Sequence, residues 1–106
     1  MKVKFKEWDC RVKGTNYLDN YARAIVLLEE KTNEIVAKAT INKSDLLPPK
    51  DSVWIKDYSE NEGITDTLIK AKIIEPDPTM TTTKDEVVIH SYKLTEAAIK
   101  NLWPKE

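Results

Sequence analysis

The sequence predicts an α+β domain, an antiparallel or mixed sheet of four to five strands carrying two helices packed on one face. Three observations lead there. Apolar and polar residues alternate over 2–13, 22–30, 34–41, 52–57 and 87–94, the period of half-buried strands. Two stretches, after Ser59 and after Thr95, change to helical spacing. A length of 106 residues with 41% apolar composition suits one core, so residues 1–106 are read as a single domain.

The first strand spans 2–13 with one slip. Val3 and Phe5 point one way, and Trp8, Cys10 and Val12 resume the pattern after an extra residue near Glu7, which suggests a β-bulge. Lys2, Lys4, Lys6, Asp9, Arg11 and Lys13 then share the solvent face. Gly14-Thr15-Asn16 interrupts the chain, with Tyr17 and Leu18 as anchors at the edge of the fold. Strands 22–30 and 34–41 follow, joined by Lys31-Thr32-Asn33, in which Asn33 best tolerates positive φ. The first of these is apolar on both sides at its middle (Ala24, Val26 and Leu28 against Ile25 and Leu27), which places it centrally.

Pro48 and Pro49 supply no amide donors and end regular pairing. In strand 52–57, Val53 and Ile55 share one face and Trp54 takes the other. Ser59 followed by Glu62 matches a capping box, and Ile64, Leu68 and Ala71 supply the apolar stripe of a helix. Residues 75–86 read as a polar loop, although three consecutive threonines also suit a short edge strand. Strand 87–94 leads to Thr95 as N-cap of the last helix. Ala98, Ile99 and Leu102 bury that helix, Pro104 stops it, and Trp103 clamps the C-terminus onto the sheet.

Charge and composition exclude several classes of function. The net charge of −1 exerts no global pull toward polyanions, with ten basic and seven acidic side chains in 1–50 and seven and eleven in 51–106. Cys10 is alone, and no apolar run is long enough for a leader or a bilayer span. Both features predict a cytoplasmic protein without a membrane partner. One histidine and one cysteine do not build a zinc centre, and the carboxylates of 57–66 lack EF-hand spacing. Gly14 and Gly63 form neither a P-loop nor a dinucleotide fingerprint, so no cofactor and no metal is expected.

The chemistry that remains is recognition. Trp54 and Tyr58 place amphipathic rings beside Ser59, Glu60, Asn61 and Glu62, the anatomy of a protein-binding patch on a non-enzymatic interaction module. A first alternative is a nucleic-acid-binding accessory protein using Lys2, Lys4, Lys6, Arg11 and Lys13, with Trp8 stacking on a base. A second is a small hydrolase or transferase built on His90, although nothing around it forms a nucleophile elbow.

The run Ile55-Lys56-Asp57-Tyr58-Ser59-Glu60-Asn61-Glu62-Gly63, followed by an apolar helix and Ile74-Glu75-Pro76, resembles a family of small uncharacterised proteins. Bacteriophages, plasmids and other bacterial mobile elements encode that family. The strand at Ala24-Ile25, the turn Thr32-Asn33-Glu34 and the strand over 37–42 extend the resemblance to residues 20–76. It implies no reaction, ligand or catalytic role. It implies an accessory protein of a mobile element that binds a host or phage protein, inhibition of a bacterial defence system being one form.

Overall fold

The alternation at the start of the chain folds as a tight hairpin rather than as one bulged strand. In the computed structural model, which describes residues 1–104, β1 (Lys2–Phe5) and β2 (Trp8–Asn16) pair antiparallel with Phe5 opposite Trp8. Lys6 takes φ 55 at the first position of the two-residue connection, the pattern of a type II′ turn. A two-residue reversal and a bulge leave the same slip in a period-two pattern, and only the direction of the chain tells them apart. Val3 still lies opposite Cys10, so the apolar residues of both strands share one face.

β3 (Arg23–Glu29) is central, as its two apolar sides predict. It pairs with β2 through Val12 opposite Leu27 and with β4 (Ile35–Lys38) through Leu27 opposite Ala37. Asn33 turns the β3–β4 connection at φ 63. A second sheet has the order β5 (Ser52–Ile55), β7 (Val87–Leu94), β6 (Ile74–Lys84), also antiparallel.

The 75–86 run is therefore strand β6 and the turn after it, not a loop. Asp85 and Glu86 both take positive φ, 51 and 66, as a type I′ hairpin requires. Pro76 and Pro78 fit because β6 is an edge strand, where a missing outward amide breaks no ladder. Its polarity disguised it: an exposed edge strand has no need of an apolar face.

A bridge between Thr40 and Ile55 joins the two sheets. Ile41 N–H donates to the Trp54 carbonyl at 3.0 Å, and Lys56 N–H donates to the Ala39 carbonyl at 2.8 Å. Seven strands thus follow one another where the sequence suggests four to five, because the first predicted strand is two and the polar run is another. Helices α1 (Ile64–Lys70) and α2 (Glu96–Leu102) lie on the same side. Ile64, Leu68 and Ala98 share a core with Phe5, Val12, Ile25, Leu27, Val53, Ile55 and Leu94, so both sheets wrap the helices.

Thr95 caps α2, its hydroxyl accepting from Ala98 N–H at 3.1 Å. Trp103 fastens the end, donating Nε1–H to the Thr15 carbonyl at 2.9 Å beneath the Arg23 guanidinium, 5.4 Å from the ring. Tyr17 anchors its loop through a 2.8 Å hydroxyl contact with Thr40, while Leu18 is 93% exposed and anchors nothing.

The close approach of α2 explains Gly14. A Cβ there would meet the Leu102 carbonyl oxygen at 2.7 Å, Leu102 Cβ at 2.8 Å and Trp103 Cε2 at 2.9 Å. We expect Gly14→Ala to push the C-terminal segment off β2 and cost about 1–3 kcal/mol, read as a lowered denaturant midpoint. An unchanged midpoint would show that this contact does not constrain the fold.

Candidate functional site

The segment between β5 and α1 divides into residues that hold it and residues that it displays. Trp54 belongs to the first group, which corrects its assignment to an accessible patch. It is 2% exposed, and its Nε1–H donates to the Leu46 carbonyl at 2.9 Å. Val53 and Ile55 face the helices, and Trp54 faces the other way, where the 42–51 loop folds over it. Alternation correctly put Trp54 opposite Val53; it carried no signal that a loop would cover that side.

Asn61 is a second correction. It is 1% exposed, and its Nδ2–H donates to the Lys38 carbonyl at 2.7 Å. A buried amide bonded in this way anchors a loop; it does not meet a partner.

The capping box of Ser59 and Glu62 is absent. Ser59–Asn61 form one turn of 3₁₀ helix with no side-chain cap, and α1 begins only at Ile64, after Gly63 at φ 94. Asp57 caps the helix instead, accepting from Gly63 N–H at 2.8 Å through Oδ1 and from Thr65 N–H at 3.1 Å through Oδ2. An aspartate at the strand end with a glycine six residues later is the sequence signal that would have located this cap.

Tyr58, Ser59, Glu60 and Glu62 remain at the surface, Tyr58 half-buried and the others exposed. Lys56 organises two of them: its ammonium lies 5.6 Å from the Tyr58 ring centre and 2.9 Å from Glu60 Oε1. That hydrogen bond, with Glu60's own amide and the Ser59 hydroxyl, holds the Glu60 carboxyl down to about 2. Lys6, from the β1–β2 turn, donates to the Glu60 carbonyl at 2.7 Å. Ser59 sits at φ 57, a left-handed conformation that serine adopts only when its surroundings impose it.

The basic stripe does not assemble as a nucleic-acid surface with its ring. Lys2 pairs across the strands with Arg11 and Lys4 with Asp9, and these side chains and Lys13 lie on the outer face. Lys2 forms an ion pair with Glu30, and Arg11 donates to Asn33 Oδ1 at 2.8 Å. Trp8, 44% exposed, pairs with Phe5 and so points to the other face; Lys6 leaves the stripe for Glu60. A base stacked on Trp8 would lie away from the lysines.

His90 borders a hollow of about 390 Å³ that Asp57, Thr65, Asp66 and Tyr92 also line. Burial, then Asp57 and Asp66, raises the Tyr92 hydroxyl pKa, so it stays protonated there. Both Asp57 oxygens are engaged by backbone amides, and His90 Nδ1 lies 2.8 Å from the Thr81 hydroxyl across the strands. Cys10 is buried, and burial followed by Asp9 raises its thiol pKa, the opposite of nucleophile activation. Among the described residues no three His, Cys, Asp or Glu side chains group as metal ligands. Nor is any helix among them long and apolar enough to cross a membrane.

No protein-family model, curated protein or solved structure matches the chain.

Two outcomes follow from these contacts. Glu60 titrates below its ordinary value of 4.5, so its ion pair adds stability that is complete above pH 4.5 and is lost as pH falls through about 2. The thermal midpoints of wild type and Glu60→Gln should differ at neutral pH and low salt, and converge between those limits. A difference that persists at the acid limit would contradict the pairing. Trp54→Ala should cost about 3–5 kcal/mol in chemical unfolding, as a buried aromatic does; a loss under 1 kcal/mol, roughly the surface level, would return Trp54 to the accessible patch.

Proposed function

We propose that this protein is a non-enzymatic interaction module that binds a protein partner through the corner at residues 57–63, with Tyr58, Ser59, Glu60 and Glu62 as the contact groups. One observation carries the reading. A strained, solvent-facing turn is held from beneath by a fully buried Asn61 and from its end by Asp57, while Tyr58, Ser59, Glu60 and Glu62 stay at the surface. Preformed loops of this kind lose little entropy on binding, and residues held in sparsely populated conformations concentrate at functional sites.

The chemistry displayed suits a polar partner surface. Tyr58 offers a ring and a hydroxyl, and Glu62 forms no ion pair among the described residues. Glu60 is already neutralised by Lys56, so Glu62 supplies the net charge a partner would meet. The resemblance to proteins of mobile elements supports reading the module as an accessory protein that acts on a host system in the bacterial cytoplasm. The lone buried thiol suits that reducing compartment.

The test is capture from lysate of the natural host with wild type, with Tyr58→Ala/Glu62→Lys and with Lys13→Glu on the outer face of β2. Both altered proteins should keep the wild-type fold by circular dichroism. The corner variant should lose a partner that wild type and Lys13→Glu retain. Identical partner sets for all three would overturn the reading.

A further inference from the structure

The two ends of the seven-strand array are built differently. β1 has four residues, two of them lysines, the guarded form of a sheet edge. β6 is eleven residues long, and its first half is guarded too, by Pro76 and Pro78 with Glu75 and Asp77. Its second half is not. Residues 79–83, Thr-Met-Thr-Thr-Thr, carry no charge and no proline, and Met80 to Thr83 pair on one side only, with β7.

The hairpin register decides where the backbone of this run points. Lys84 opposite Val87 closes a two-residue turn, and such a closing pair is hydrogen-bonded. Antiparallel alternation then turns Thr82 toward β7 and leaves Thr81 and Thr83 with N–H and C=O directed away from the sheet. Met80, 39% exposed, and Val88, 56% exposed, offer apolar contact on the two faces of the hairpin. Outward backbone groups with apolar contacts on alternate sides are what an added strand requires.

Charge selects the occupant. Glu75 and Asp77 precede the open run, and Asp85 and Glu86 follow it. Asp57 and Asp66 line the hollow that Val88 borders. Lys84 is the one lysine or arginine in residues 74–90. A second copy of the chain suits this edge poorly. Two-fold antiparallel pairing centred on Thr82 sets Thr81 opposite Thr83 but Lys84 opposite Met80 and Asp85 opposite Thr79, so the flanking carboxylates gain no cation from a second copy.

We infer that the open half of β6 binds an extended, cationic segment of another protein as an added strand. This surface lies apart from the 57–63 corner, and neither reading depends on the other.

The probe is a short synthetic peptide of alternating valine and threonine flanked by lysines, with a glutamate-flanked peptide of the same centre as its counterpart. Amide exchange followed by NMR reads the result. The lysine peptide should slow the Thr81 and Thr83 amides about tenfold or more while leaving Thr82, already paired to β7, unchanged. The glutamate peptide should bind about tenfold more weakly, and the gap should close at high salt. Thr83→Pro removes an outward donor without touching the β7 ladder, so it should abolish binding in a protein that keeps the wild-type hairpin shifts.

Three results would overturn the inference: equal binding of both peptides, protection absent at Thr81 and Thr83, or protection that rises with protein concentration in the absence of peptide. The last would give the edge to a second copy. Tyr58→Ala/Glu62→Lys should bind the lysine peptide as wild type does, which separates this outcome from that of the corner.

Discussion

The structure depends on the short stretch of backbone that joins its two sheets. Lys38 to Ile41 sends five of its polar groups to other parts of the molecule. The Lys38 carbonyl accepts from Asn61, Ala39 N–H donates to Ile25, the Ala39 carbonyl accepts from Lys56, and Ile41 N–H donates to Trp54. The Thr40 hydroxyl meets Tyr17 and accepts from Ile25 N–H. Each such bond contributes only about 0.5–1.5 kcal/mol net, but leaving a buried partner bare costs about 1–3 kcal/mol. Ala39 and Thr40 are buried, so the penalty applies in full to their groups. Opening the joint would strip several of these groups at once, which makes two modest sheets behave as one support for the helices.

The corner inherits its rigidity from that stretch. Asn61 reaches down to Lys38, and Lys56, the last residue bonded across the joint, sends its side chain to Tyr58 and Glu60. Asp57 spends its charge on the first amides of α1, so the helix start is closed from within. What the segment shows to solvent is therefore set by these three anchors, of which Asn61 is fully buried.

The fold was legible where burial was one-sided. Alternation located the strands, the two apolar sides of β3 announced its central place, and Thr95 and Trp103 acted as their chemistry suggests. The misreadings share a physical cause: local pattern does not report long-range cover. Trp54 alternates to the outer side of β5, yet a loop arriving from earlier in the chain encloses it. The slip at Glu7 has the same signature whether the chain bulges or reverses. β6 lacks an apolar face because an edge strand in water needs none. At the corner, the stretch itself was legible but its internal roles were not. Ser59 and Glu62 have the spacing of a capping box, whereas Asp57 occupies the amides first, because Gly63 in the left-handed region delays the helix by a turn. Asn61, read as a contact residue, proved to be an anchor once its distant acceptor was known.

Native-state hydrogen exchange at Ile41 and Lys56 tests the central claim most directly, since these amides are the donors of the joint. The account predicts that both exchange only through global unfolding, with the same opening free energy as the amides at the centre of β3. Exchange of either through a much cheaper local opening would contradict it, for the two sheets would then move independently and the corner between them would have no fixed shape.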